Sequence, residues 1–201
     1  MHPAAAFRVE DEAVLLAVLE AQAFVTLAAA PEGRPRVAHA PVVARRLAGG
    51  LALDFHLSRG NALAPFLAAG FRGVVVSLEA EAYVSPDWYE SADQVPTWNY
   101  VTVEAEGPIV ALDDAGLVTL LDDLSAQEEA RLAPKPSWTR HKMSPGRFET
   151  MARAIVGARL SVERLEGVTK LSQNKSEADQ AGVVAALGDH PIAKLMGGPG
   201  R

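Results

Sequence analysis

The chain has 201 residues, 49% of them hydrophobic and 22% charged, a composition that suits one ordinary globular core. It contains no cysteine, so disulfides, thiolate metal sites and a cysteine nucleophile are excluded together. A net charge of −6 opposes contact with a phosphate backbone unless the basic residues are segregated on one face, and the densest basic group, Arg34, Arg36, Arg45 and Arg46, falls at two expected turns.

The N-terminal residues lack a basic segment followed by a long apolar run, and no later stretch approaches the roughly 20 apolar residues of a membrane span. A cytoplasmic protein without membrane contact is the expectation. Residues 11–23 carry Val14, Leu15, Val18 and Leu19, the stripe of an amphipathic helix behind an acidic first turn. Residues 24–30, 36–44 and 51–57 read as strands, separated by Pro31-Glu32-Gly33-Arg34-Pro35 and Ala48-Gly49-Gly50, and so form an antiparallel meander.

Residues 62–69 give a short apolar helix ended by Gly70, and residues 74–84 a fourth strand. Residues 98–111 alternate Asn99, Val101, Val103 and Ala105 against Tyr100, Thr102, Glu104 and Glu106, the pattern of a half-buried strand. Asp113 and Asp114 precede a stripe at Leu117, Leu120, Leu121 and Leu124, and Ala133-Pro134-Lys135-Pro136 breaks that helix. A helix over 146–154, a last strand over 156–165 and a capping-box-like helix from Ser176 to Gly188 complete the expected elements. Many antiparallel strands with helices between them indicate an α+β antiparallel barrel with peripheral helices. One domain over 1–189 and a loose tail over 190–201 are expected. Helices separated by strands or proline-rich breaks leave no helix-turn-helix pair.

Four groups of residues invite chemistry. His56-Leu57-Ser58-Arg59-Gly60-Asn61 puts a guanidinium, a hydroxyl and an amide where a strand gives way to a helix, which suits a phosphate, with helix N–H groups as further donors. The same residues are also what a capped helix with a solvated arginine would show. His39 lies among apolar residues, either as a hydrogen-bonded core histidine or as the wall of a site. Trp98, Asn99 and Tyr100, in Val95-Pro96-Thr97-Trp98-Asn99-Tyr100, place two aromatics and an amide at a strand mouth, as a planar ligand or a packed interface would require. Lys170, Gln173 and Asn174 sit in a loop too polar for a core. His39 and His56 lack a third ligand at metal spacing.

Pro96-Thr97-Trp98-Asn99-Tyr100, the preceding Tyr83-Val84-Ser85-Pro86-Asp87-Trp88-Tyr89 and Lys170-Leu171-Ser172-Gln173-Asn174 resemble, in the same order, the motifs of the PaiB family of FMN-binding split-barrel proteins. The resemblance runs from about Phe7 to Leu187. It implies a split barrel related to flavin reductases and pyridoxamine-phosphate oxidases, FMN as cofactor, and a homodimer with flavin near the subunit interface. His39, His56, Leu57, Ser58, Arg59, Asn61, Trp98, Asn99, Tyr100, Lys170, Gln173 and Asn174 are the cofactor contacts it implies. The family carries the label of negative transcriptional regulator, and the acidic charge favours an indirect route over DNA contact. A flavin-dependent oxidoreductase acting on a small substrate is the alternative. Haem binding, with His190 as axial ligand, is a third. No catalytic residue is singled out.

Overall fold

The structure, a computed structural model, describes residue 2 and residues 4–198. The chain organises into two compact units, one of Gln22–Ser77 and Glu104–Leu165, the other of Met1–Ala21, Leu78–Val103 and Glu166–Arg201.

The first unit is a barrel. β2 (Phe24–Ala29), β3 (Arg36–Leu47), β4 (Gly50–Ser58) and β7 (Ile155–Ser161) pair in sequence, each antiparallel to the next. The first half of β5 (Phe71–Val84) lies against β2, the second half of β6 (Thr97–Ala111) pairs with β7, and β6 neighbours β5, which closes six strands on themselves. Closure removes free edges. Alternation sends Val25, Leu27, Ala38, Ala40, Leu53, Phe55, Val75, Ile109 and Leu160 into the interior, all below 4% exposure. Each fully buried large side chain stabilises by roughly 1.5–3 kcal/mol. At Gly107 an added Cβ would stand 1.8 Å from the Ser161 carbonyl oxygen, so only glycine allows that approach.

α2 (Asp114–Ala130) covers one outer patch of the barrel, with Leu120 and Leu124 packed on Val43. It starts at Asp113, whose carboxylate accepts from the Gly116 N–H at 2.7 Å. Beside it Asp54, 1% exposed, accepts from Arg159 through both oxygens at 2.6 and 2.8 Å and from Arg45 at 2.6 Å. α3 (Arg147–Ala152) leads into β7.

The second unit holds β1 (Arg8–Val9) paired with β8 (Arg164–Lys170), then the first half of β6 and the second half of β5. Leu15, Val18 and Leu19 of α1 (Glu12–Ala21) are buried as the stripe requires. α4 (Glu177–Leu187) and α5 (Pro191–Met196) pack on a cluster of Val84, Tyr89 and Val183, with Trp88 and Leu187 at its margin.

The structure corrects several expectations. Residues 62–69 form only a 3-10 turn at Ala64–Phe66, because Pro65 occupies its first positions and the Asn61 carboxamide turns the chain locally by accepting from the Leu63 N–H at 2.9 Å. The last strand is two strands, β7 and β8, parted at residues 162–163 without glycine or proline to mark the break. The expected tail contains α5, held by Ile192 at 0% and Ala193 at 3% exposure. Residues 199–201 of that tail lie outside the described residues. α4 and α5 are also joined by a three-residue turn, 188–190, so a short helix pair exists where none was expected. Its second helix is six residues long with Lys194 as its basic residue and Ile192 buried, which leaves little to offer a DNA groove.

Candidate functional site

In the barrel unit the expected residues fall in two places. Ser58, Arg59 and Asn61 share the turn after β4. Its backbone donors are already spent: the Arg59 N–H on the Ala154 carbonyl at 2.9 Å, Gly60 on the Ser58 hydroxyl oxygen at 3.2 Å, Asn61 on the Ser58 carbonyl at 2.9 Å. The helix N–H groups expected to meet a phosphate are therefore absent, and side chains must do that work. Arg59 Nε donates to the Arg153 carbonyl at 2.9 Å, which anchors one edge of the guanidinium and leaves its two terminal nitrogens without a partner among the described residues. Arg59 and Arg153 line a cavity of about 340 Å³ with Leu117, Phe148, Asp114 and Glu149.

His56 pairs across the ladder to Gly157 and faces a second cavity, about 330 Å³, shared with Pro41, Leu124, Ser125 and Trp138. Burial pushes its imidazole below the ordinary histidine value, and its Nδ1 is buried with no hydrogen-bond partner among the described residues. Leu57 is buried in the barrel core. His39 is exposed, contrary to a core histidine. Its Nδ1 meets Thr26 Oγ1 at 3.2 Å and its ring stacks near Phe24 at 6.4 Å between centroids.

In the second unit the structure brings the two sequence motifs together. Lys170 Nζ donates to Thr97 Oγ1 and to the Trp98 carbonyl at 2.7 Å. Asn99, 0% exposed, exchanges hydrogen bonds with the Ser172 hydroxyl at 2.9 and 3.2 Å. Gln173 is spent on backbone groups, its carbonyl accepting from the Leu171 N–H at 2.7 Å and its amide donating to the Thr169 carbonyl at 2.5 Å and to the Ala6 carbonyl at 3.3 Å. Asn174 is exposed and Tyr100 half-buried. Trp98 is 52% exposed with its ring edge toward Tyr83, 6.0 Å between centroids.

Two further rungs continue this clamp, and sequence reading missed both. Lys175 Nζ donates to the Gln94 carboxamide at 2.5 Å, and Asp179 accepts from the Ser91 N–H at 2.9 Å and the Ser91 hydroxyl at 2.8 Å. These bonds to Ser91, the backbone one first, hold the Asp179 carboxyl below the usual carboxylate value. Asp179 was legible in principle, since with Val183 it makes the buried stripe of α4, and a carboxylate at a core position demands partners. Burial first and the Lys175 charge second push the Lys170 ammonium below the ordinary lysine value. His190, weighed as a haem ligand, caps α5 by accepting from the Ile192 N–H at 3.2 Å.

A closed six-stranded antiparallel barrel with an anchored arginine on a strand-end turn defines a split-barrel flavin-binding protein. The fold is shared with the FAD- and haem-binding protein of Mycobacterium smegmatis, at TM-score 0.60, 17% identity and coverage of 87% of this chain and 78% of that one. It is shared too with the flavocytochrome Anf3 of Azotobacter vinelandii, at TM-score 0.59, 16% identity and coverage of 90% and 78%. The chain belongs to the family described as "Putative FMN-binding domain", whose model matches residues 1–164. It is 28% identical over 192 residues to "Protease synthase and sporulation protein PAI 2" of Bacillus subtilis, spanning 94% of this chain and 91% of the relative, which bears out the PaiB resemblance. FMN is the cofactor this family binds. The donor set of the turn fits its phosphate: two free guanidinium nitrogens of Arg59, with Arg153 beside them in a cavity wall that also carries Asp114 and Glu149, and the Ser58 hydroxyl in the same turn. Among the described residues no helix is long and apolar enough to cross a membrane.

Proposed function

We propose that the chain works as an FMN-binding split-barrel homodimer of the PaiB type, and that it acts in negative control of transcription through flavin or partner state and not by reading DNA. The observation that carries the cofactor reading is Arg59, pinned through Nε to the Arg153 carbonyl so that the rest of its guanidinium is presented at low entropic cost. Bound FMN supplies electron-transfer chemistry. Arg59 and Ser58 bind and orient its phosphate, and the apolar Leu117 and Phe148 beside them limit access of water to that ion pair.

The acidic chain and the short, sparsely basic α5 support the indirect route. The dimer is supported by apolar side chains left uncovered on each unit: Phe24 at 69% and Val37 at 61% exposure on the barrel, Trp98 and Tyr83 at 52% and 47% on the other.

Arg59→Ala tests the reading. FMN affinity should fall about tenfold or more, the size of a lost charge-assisted hydrogen bond, while riboflavin, which lacks the phosphate, binds as before. Equal weakening of both ligands would overturn it. The loaded protein should show flavin bands that NAD(P)H does not bleach; rapid bleaching would establish an oxidoreductase instead. Light scattering should give twice the mass of the chain.

A further inference from the structure

The second unit carries a half-open cavity of about 120 Å³ walled by Tyr89, Val95, Thr97, Lys170, Asn174 and Lys175 among others. We propose that it is a binding site for a small oxyanion, a carboxylate or a phosphate, separate from the phosphate subsite at Arg59.

Size comes first. At ~30 Å³ per water the space holds about four water-sized volumes, well below the roughly 300–1,000 Å³ of sites that take drug-sized ligands. An ion of four or five heavy atoms fits the space.

Charge comes second. Lys170 and Lys175 both face the cavity, and none of its lining residues is a carboxylate. The partners of both ammonium groups are neutral: Thr97 Oγ1 and the Trp98 carbonyl for Lys170, the Gln94 carboxamide and the face of the Tyr89 ring, 5.1 Å away, for Lys175. Each ammonium has three donors, so one on Lys170 and two on Lys175 remain after these hydrogen bonds. The arginines of the barrel unit are treated differently. Arg45 and Arg159 share Asp54, and Arg72 meets Glu106 and Glu163. Two like charges on one cavity without a counter-charge repel, and the depressed Lys170 ammonium registers that repulsion along with its burial. An anion between them removes it.

Chemistry comes third. Tyr89, 8% exposed, contributes its ring to the wall. Asn174 adds an exposed amide at the rim. Two cations and an amide with no acid suit a ligand with at least two acceptor oxygens.

Calorimetric titration of the FMN-loaded protein with inorganic phosphate and, separately, with acetate tests the site. One saturable event per chain is expected for at least one of them, phosphate preference marking a phosphate-bearing ligand and acetate preference a carboxylate. Lys175→Gln should weaken it about tenfold or more, and Lys175→Arg should retain it. Arg59→Ala should leave it unchanged, and Lys175→Gln should leave FMN affinity unchanged. No saturable binding of either ion, binding lost in Arg59→Ala but kept in Lys175→Gln, or joint loss of FMN and anion in Lys175→Gln would each overturn the proposal. Failure of the Arg59 reading alone leaves these outcomes as they are.

Discussion

The barrel unit and the second unit bury polar groups by different means. In the barrel, charge is met by charge: Asp54 lies between two guanidiniums, and Glu106 accepts from Arg164 at 2.6 Å and from Arg72 at 3.3 Å. In the second unit Asn99, Ser172 and Asp179, three of its buried polar residues, are held by amides, hydroxyls and backbone N–H groups, and the cavity's two lysines have no acid in its lining. Ion pairs between adjacent strands reinforce a ladder that already exists. Neutral hydrogen bonds between distant segments create order where no ladder reaches, and they leave electrostatic capacity open for a ligand.

The sharpest way to break the comparison is at Asp54. Asp54→Asn keeps the shape and removes the charge, leaving Arg159 without its acid and Arg45 with Asp123 alone, and should destabilise by about 3 kcal/mol, read as a lowered urea midpoint at unchanged m-value. The second unit should answer to acid. The Asp179 carboxyl is held below its unfolded value, so its contribution is complete above the unfolded carboxylate pKa and is lost as pH falls through the folded one. Protection of the Ser91 amide from hydrogen exchange, taken relative to its intrinsic rate at each pH, should be lost across that acid window in the native protein. In Asp179→Asn that protection should be low at neutral pH and nearly flat with acid. A flat profile in the native protein would dissociate the clamp from this carboxylate.

Ser172→Ala leaves the buried Asn99 amide with only the weakly accepting Met196 sulfur at 3.6 Å and should cost about 1–3 kcal/mol in thermal or urea unfolding, with the serine restored as control. The smallest effects should be equal in the two units. Asp113→Ala removes the N-cap of α2, and Ser176→Ala that of α4, whose hydroxyl oxygen accepts from the Asp179 N–H at 3.1 Å. Each should cost about 1 kcal/mol, since capping chemistry is indifferent to how the surrounding unit treats charge.

The barrel was legible because period-two alternation is local: Val25 and Leu27 against Phe24 and Thr26 announce a strand without knowledge of its neighbours. The helix stripes at Leu15 to Leu19 and at Leu117 to Leu124 were legible for the same reason. The turn at Ala64–Phe66 read as a helix because Ala, Leu and Phe at that spacing carry the right pattern, while the Asn61 side chain and Pro65 decide otherwise. α5 was hidden by its six-residue length between glycine and proline signals. Within the site, Arg59 could be chosen from its neighbours in the chain, but its anchoring by the Arg153 carbonyl could not. Lys170 and Asn99 were both marked as polar residues with something to bind. That they bind the partner motif, through Thr97, the Trp98 carbonyl and Ser172, depends on a meeting of distant segments that no window contains.

That meeting sets a timetable for synthesis. The rungs that fix the 91–99 segment come from residues 73, 81 and 88 positions downstream, at Ser172, Lys175 and Asp179. As the chain leaves the ribosome from its N-terminus, the strands over residues 24–84 can begin pairing long before those residues emerge, while Trp98 and its neighbours must wait until residues 170–179 are out. Chains stalled ahead of Lys170 should therefore carry this segment in a protease-sensitive form, and the arrival of residues 170–179 is what hides it.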